Sequence, residues 1–244
     1  MAQYIAFFLL LLAAFIRGYS GFGFAVIAII ALNLILNPVQ SVPVVLALDI
    51  LCSLGLARQA IKQFDRQTFW YLCIGSVFGI PIGLCVLFYV PAIWLKLAIS
   101  IVILFMLIVI ALNWRIQNNH NVKAAVYFGF GSGLATASAS IGGPIVLIYM
   151  LSSSLSSAAQ CSTLILFFLL TEPISLLGDY FVGTIDSSAI LWFVKFFLPV
   201  LIFVLFGQWV FNRYPVTSFR NISLPIIGAV AMLGIWSSVN QLIS

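Results

Sequence analysis

Two short stretches of this chain set glycine beside serine inside otherwise apolar sequence, and a helix in lipid can open at such places to hold an ion. The first reads Arg17-Gly18-Tyr19-Ser20-Gly21-Phe22-Gly23. The second runs Gly131-Ser132-Gly133-Leu134-Ala135-Thr136-Ala137-Ser138-Ala139-Ser140-Ile141-Gly142-Gly143-Pro144. Glycine costs about 1 kcal/mol at a helix-interior position, and Pro144 suits the first turn of a new helix. Both stretches therefore predict an interruption, with new helices starting near Phe24 and Pro144. Unwound backbone at that depth persists only against protein or a watery cavity. Each restarted helix offers free N–H groups and the positive end of its dipole. Together with serine hydroxyls these can replace the water shell of a small oxyanion. The alternative is that small residues only allow helices to pack closely. The residues expected to line the site are Arg17, Ser20, Gly21, Phe22, Gly23, Ser138, Ser140, Ile141, Gly142 and Gly143.

Charges within apolar runs are the next candidates, because one at mid-membrane costs about 2.5–3.5 kcal/mol on insertion scales. Arg17 could neutralise the anion, counter a helix C-terminal end, or snorkel to an interface. Lys195 is a charge-compensating candidate with the same snorkelling alternative. Asp49 and Glu172 are proton-coupling candidates, since a carboxyl group shielded from water can keep a proton. Either could instead pair structurally with Arg17 or Lys195. Gly75, Gly79 and Gly83 form a ridge suited to tight helix packing, within the subunit or across a homodimer, which it permits without requiring. The four cysteines, Cys52, Cys73, Cys85 and Cys161, lie in apolar runs without CxxC spacing and read as small hydrophobes. His120 sits in a polar stretch without metal-ligand neighbours. No metal site, cofactor, Walker A motif or hydrolase triad is expected, which disfavours an enzyme and ATP-driven transport.

The elements that must carry these residues follow from composition. Of 244 residues, 64% are apolar and 6% charged, with a mean hydropathy of +1.25. A soluble domain carries about 25% charged residues, so lipid is the expected outer solvent. Continuously apolar runs fall at 2–16, 22–36, 42–57, 68–90, 94–113, 124–135, 141–151, 157–178, 188–211 and 217–240. Runs long enough to cross the bilayer must be helical, and they lack the alternation of a β-barrel. The first stretch, Tyr4 to Phe15, lacks a basic leader, so no cleavable signal is expected. The net charge of +5 reports orientation, not affinity for nucleic acid.

The order of features repeats. Adding 119 carries Ser20–Phe24 onto Ala139–Gly143 and Asn37-Pro38 onto Ser156-Ser157, while adding 124 carries Pro91 to Pro215 and Lys96 to Arg220. The expected organisation is a first transmembrane repeat at 1–115, a polar hinge at 116–123 and a second repeat at 124–244. Arg58, Lys62 and Arg66 gather around the second loop of the first half, whereas Asp179 and Asp186 flank its counterpart. Basic residues mark the cytoplasmic side, so equivalent loops are expected on opposite faces. The fold class is thus an all-α polytopic membrane protein of two inverted repeats, each a broken or re-entrant helical hairpin plus three transmembrane helices. Eight full spans with parallel halves is the alternative.

The doubled signature, Ser20-Gly21-Phe22-Gly23 and Ser140-Ile141-Gly142-Gly143-Pro144, resembles that of the TauE/SafE sulfite and organosulfonate exporters. The likeness extends to the two-half layout, the overall size, and Lys96 and Arg220 before the last helix of each half. It implies a multi-pass transporter exporting sulfite, an organosulfonate or a related anion. Alternating access around the two breaks is the expected mechanism, with proton coupling through Asp49 or Glu172. A passive anion channel and a small-carboxylate transporter are the alternatives. The expected location is the cell inner membrane, and the expected partners are the anion and the lipid bilayer.

Overall fold

The computed structural model describes residues 2–20, 23–112, 122–213 and 220–243, and these form helices without strands. The first half holds α1 (Ala2–Ser20), α2 (Phe24–Asn33), α3 (Pro38–Ala60), α4 (Arg66–Tyr89) and α5 (Ala92–Ala111). The second half holds α6 (Val122–Ala139), α7 (Gly142–Ser152), α8 (Ser157–Val182), α9 (Ser187–Arg213) and α10 (Arg220–Ile243). His120 and the rest of the segment around it lie outside the described residues.

Local chemistry fixes several helix ends. Pro38 opens α3 behind Asn37, whose carbonyl accepts from the N–H groups of Gln40 and Ser41 at 2.9 Å each; proline lacks the N–H that would be idle there. Asp65 caps α4 by accepting from the Thr68 N–H at 2.8 Å. Ser156 caps α8 by accepting from the Ala159 N–H at 3.3 Å. Gly183 closes α8 in the left-handed region, at φ 83°, which glycine enters without strain. Asp186 accepts from the Ala189 N–H at 2.7 Å at the start of α9.

Each half opens with a hairpin. Ser132 lies two turns before the end of α6, yet its Oγ donates to the Gly142 carbonyl at 3.0 Å. The chain must double back for those residues to meet, so α7 runs beside α6 rather than continuing it. Likewise α1 and α2 pack along each other. Three long helices follow each hairpin.

Packing between the halves is reciprocal. Helix α1 lies on α9 as α6 lies on α4; α3 meets α8, α5 meets α10, α2 touches α10 and α7 touches α5. The correspondence reaches single residues. Gly83 faces the Leu134 carbonyl and the Ala137 methyl, while Gly207 faces the Phe15 carbonyl and the Gly18 backbone. A shift of 119 carries Phe15 to Leu134 and Gly18 to Ala137, and a shift of 124 carries Gly83 to Gly207. Helices α1–α5 and α6–α10 thus make matching contacts with one another.

Two expectations are corrected. Helix α1 continues through Arg17 and Gly18 to Ser20, and α6 continues through Gly131, Ser132 and Gly133 to Ala139. The interruption in the second half narrows to Ser140-Ile141, and the new helix starts at Gly142, not Pro144. Close helix contact accounts for Gly18 and Gly133, whereas a Cβ on Gly131 would meet only the Ile145 side chain at an ordinary distance of 3.6 Å. A Cβ on Gly18 would meet the Val204 carbonyl of α9, and Cβ atoms on Gly129 and Gly133 would meet the α4 backbone at Leu72 and Ser76. From the opposite side, Gly75, Gly79 and Gly83 abut the carbonyls of Val126, Phe130 and Leu134. The glycine ridge is therefore used inside the subunit.

The largest buried apolar cluster joins Leu10 of α1, Phe24 and Ile27 of α2, Leu46 and Leu48 of α3, Ile99 of α5, Ala139 and Ile141 of the second hairpin, and Phe196 of α9. The second hairpin turn and the start of α2 therefore border one core. Outward faces carry exposed Trp70, Val77 and Phe78 on α4, and Leu191, Val194 and Leu198 on α9. Helices α3, α4, α5, α8 and α9 each hold a span long and apolar enough to cross a membrane. The chain is a multi-pass membrane protein.

Candidate anion site

The second hairpin turn shows its chemistry most directly. Ser140 sits at φ 56°, the left-handed region that L side chains avoid. Its N–H donates to the Thr136 carbonyl at 2.8 Å, and the Ile141 N–H reaches back to the Ala135 carbonyl at 3.1 Å. These two bonds occupy the Ala135 and Thr136 carbonyls in the last turns of α6. The start of α7 has no such provision: its N-cap, Ile141, makes no side-chain cap, so the first-turn N–H groups and the dipole end face the turn uncapped.

Two hydroxyls share this place. Thr136 is 2% exposed and Ser140 3%, and neither hydroxyl oxygen meets a hydrogen-bond partner. Buried hydroxyls are normally paired, since leaving one unsatisfied costs about 1–3 kcal/mol. The Thr136 hydroxyl borders Gly142, where an added Cβ would strike it and the Ser132 carbonyl and hydroxyl. Gly143 differs, because a Cβ there would meet nothing within 4 Å. The turn is thus closed on the Gly142 side and open on the Gly143 side. Ser138 belongs to the helix, its Oγ donating to the Leu134 carbonyl at 2.7 Å.

The first hairpin turn is its counterpart. Gly23 precedes α2 at φ 93° with no side-chain cap. Ser20 is the last residue of α1; Gly21 and Phe22 lie outside the described residues.

The charged candidates separate into two groups. Arg17 on α1, Asp49 and Ser53 on α3 and Glu172 on α8 are each at most 6% exposed and come together. An Arg17 guanidinium nitrogen lies 3.3 Å from the Asp49 carboxylate and donates to Ser53 Oγ at 2.6 Å. Glu172 lies within hydrogen-bonding reach of Asp49, and its Oε2 meets no partner. Arg17 stands three residues before the end of α1, about 4.5 Å along the axis from the first turn. Lys195 does not join this group: it is exposed, its ammonium 4.5 Å over the Trp192 ring.

Thr136 and Ser53 were not singled out by the sequence, yet the repeat offset contained them. Adding 119 carries Arg17 to Thr136 and Ser53 to Glu172. The polar positions of one half therefore recur in the other with different side chains. A separate small recess lies where α2 ends, lined by Asn33, Lys96, Ser100 and Ser237.

The family model described as Sulfite exporter TauE/SafE matches residues 6–233. No curated protein and no solved structure matches the chain.

Proposed function

The chain belongs to the sulfite exporter TauE/SafE family, a family of membrane transporters, and on that premise we propose that it exports a small sulfur oxyanion, sulfite or an organosulfonate. The observation that carries this reading is the pair of buried, unpartnered hydroxyls, Thr136 and Ser140, at the uncapped start of α7. Such a place suits an oxyanion. It accepts hydrogen bonds from hydroxyls and N–H groups and gains from the dipole of the helix start. Gly143 leaves the approach open, and Gly23 gives α2 an equivalent start on the other hairpin.

In this reading the two hairpin turns form one site between the repeats. Exchange of the reciprocal contacts α1–α9 and α6–α4 then opens the site to each face in turn, which is alternating access. A hairpin crosses the bilayer either not at all or twice, and three long helices follow it. An odd net number of crossings puts equivalent loops on opposite faces, so the repeats are inverted. Helical spans suit a cell inner membrane, where we place the protein.

Anion-dependent thermal shift in detergent tests the site, because a ligand bound to the native state raises its melting temperature by mass action. Sulfite, methanesulfonate, thiosulfate, sulfate and acetate are compared on the parent, on Thr136→Val and on Gly143→Leu. A sulfur oxyanion should stabilise the parent and neither variant. Equal shifts in all three proteins, or a shift by acetate alone, overturns the assignment. Counterflow in liposomes separates carrier from pore: a carrier saturates and exchanges labelled substrate, and a pore does neither.

A further inference from the structure

Stability alone is a weak explanation for the buried Arg17–Asp49–Glu172 group. Buried ion pairs contribute little net stability once desolvation is counted, and this one includes a carboxylate in excess of its cation. Each charge comes from a different helix, α1, α3 and α8, and α3 and α8 are the equivalent helices that meet between the two repeats. A rearrangement of one repeat against the other must therefore pass through this contact.

The chemistry of the contact is restrictive. Glu172 and Asp49 are both acceptors when ionised and cannot hydrogen-bond to each other in that state. A carboxyl–carboxylate bond between them needs one proton. Among the described residues, the other titratable groups facing the cluster are the thiols of Cys52 on α3 and Cys161 on α8. Elsewhere on the packed elements, α2 carries no charge, Lys123 sits at the start of α6, and Arg66 at the start of α4. Lys96 of α5 lines the separate recess, Arg213 is the last residue of α9, and Lys195 of α9 stands over Trp192. With Asp49 and Glu172 both ionised, the three charges sum to −1; with one proton between them the sum is zero. Arg17 lies about one helical turn from the first hairpin turn, so an arriving anion meets either a net negative group or a neutral one.

We propose that the Asp49–Glu172 pair is a proton-binding site loaded together with the anion, so that the protein carries one proton with each anion. The inference rests on the anion-transport reading above. Only an O–H bond changes: a proton passes from water to a carboxylate oxygen of the pair when the site is open to one face, and returns to water at the other. Cotransport of a monoanion is then electroneutral, and its direction follows the combined anion and proton gradients.

Linkage supplies the test. Methanesulfonate binding to the purified protein is measured by calorimetry in buffers of different ionisation enthalpy, across the neutral range. Methanesulfonate stays ionised there, so any proton taken up goes to the protein. The expected result is uptake approaching one proton per anion, with affinity falling up to about tenfold per pH unit where the pair titrates. Glu172→Gln supplies a permanently neutral partner and should bind the anion without proton uptake and with affinity flat in pH. Anion binding by the parent without proton uptake overturns the inference and leaves the transport reading standing. Undiminished uptake in Glu172→Gln also overturns it. Should that variant fail to fold, the parent's buffer series decides alone. If neither methanesulfonate nor sulfite binds, with sulfite's own proton subtracted, the transport reading falls first and the inference with it.

Discussion

Ser140 and Thr136 hold free energy that an apolar turn would not. A residue in the left-handed region costs about 1–2 kcal/mol relative to its ordinary conformation, and an unsatisfied buried hydroxyl costs about 1–3 kcal/mol. Both penalties fall at one turn, beside a helix start without a cap. Removing them should therefore make the unliganded protein more stable and less able to bind. Ser140→Gly relieves the backbone, less about 0.5 kcal/mol for the greater freedom of glycine in the unfolded chain. Thr136→Val keeps the shape and removes the orphaned hydroxyl. Without anion, each variant should melt at or above the parent temperature, by about 2–4 °C per kcal/mol in a chain of this size. With anion, the thermal shift should be lost. A lower melting temperature for Thr136→Val would mark that hydroxyl as an ordinary structural donor. At this scale the sequence was partly legible. The glycine-serine signature pointed to Ser140, Gly142 and Gly143, but residue type could not separate packing glycines such as Gly133 from a turn glycine such as Gly23. That distinction lies in which neighbour approaches, and α4 is remote from α6 in the chain.

Among the helices, ends are set by short-range contacts and were legible to within a few residues, since capping residues and prolines act on their immediate neighbours. Contacts between helix ends were not. Asp186 accepts from Gln40 Nε2 at 3.0 Å as well as from the Ala189 N–H, and so ties the start of α9 to the first turn of α3. The Ala189 N–H, and after it Gln40, holds this loop carboxylate below its ordinary value. A depressed carboxylate contributes stability that is complete above the unfolded value of about 3.9 and is lost as pH falls through the folded value. The difference in melting temperature between the parent and Asp186→Asn should therefore be constant near neutrality and change only below about pH 4. Asparagine still caps a helix but does not titrate there. Asp186→Ala should cost about 1 kcal/mol at neutral pH through loss of the cap. A parent-to-Asn difference that varies between pH 6 and pH 8 would assign the pH response to other groups. The side chain is exposed, so the effect is small and best read as a difference between two proteins.

For the whole molecule, a repeat is a pattern that sequence can carry, whereas the direction of one half relative to the other depends on whether each hairpin returns to its starting face. Reciprocal packing is compatible with a two-fold axis along the membrane normal or within its plane. Folding-back of α7 on α6 favours the second. Between the α3–α4 loop and the α8–α9 loop lie α4, α5, the α6–α7 hairpin and α8. The hairpin adds zero or two crossings, the other three add one each, and the sum is odd. The charges agree, since Arg58, Lys62 and Arg66 surround the first loop while Asp186 stands in the second. Single cysteines at the exposed positions Gln63 and Ser187, introduced after replacing the four native cysteines, report the answer directly. A membrane-impermeant thiol reagent applied to intact cells should label Ser187→Cys and spare Gln63→Cys, and permeabilisation should expose both. Labelling of both, or neither, before permeabilisation would make the halves parallel. Each hairpin would then count as one crossing, and the anion path would have to run along an axis normal to the membrane instead of exchanging faces about an axis within it.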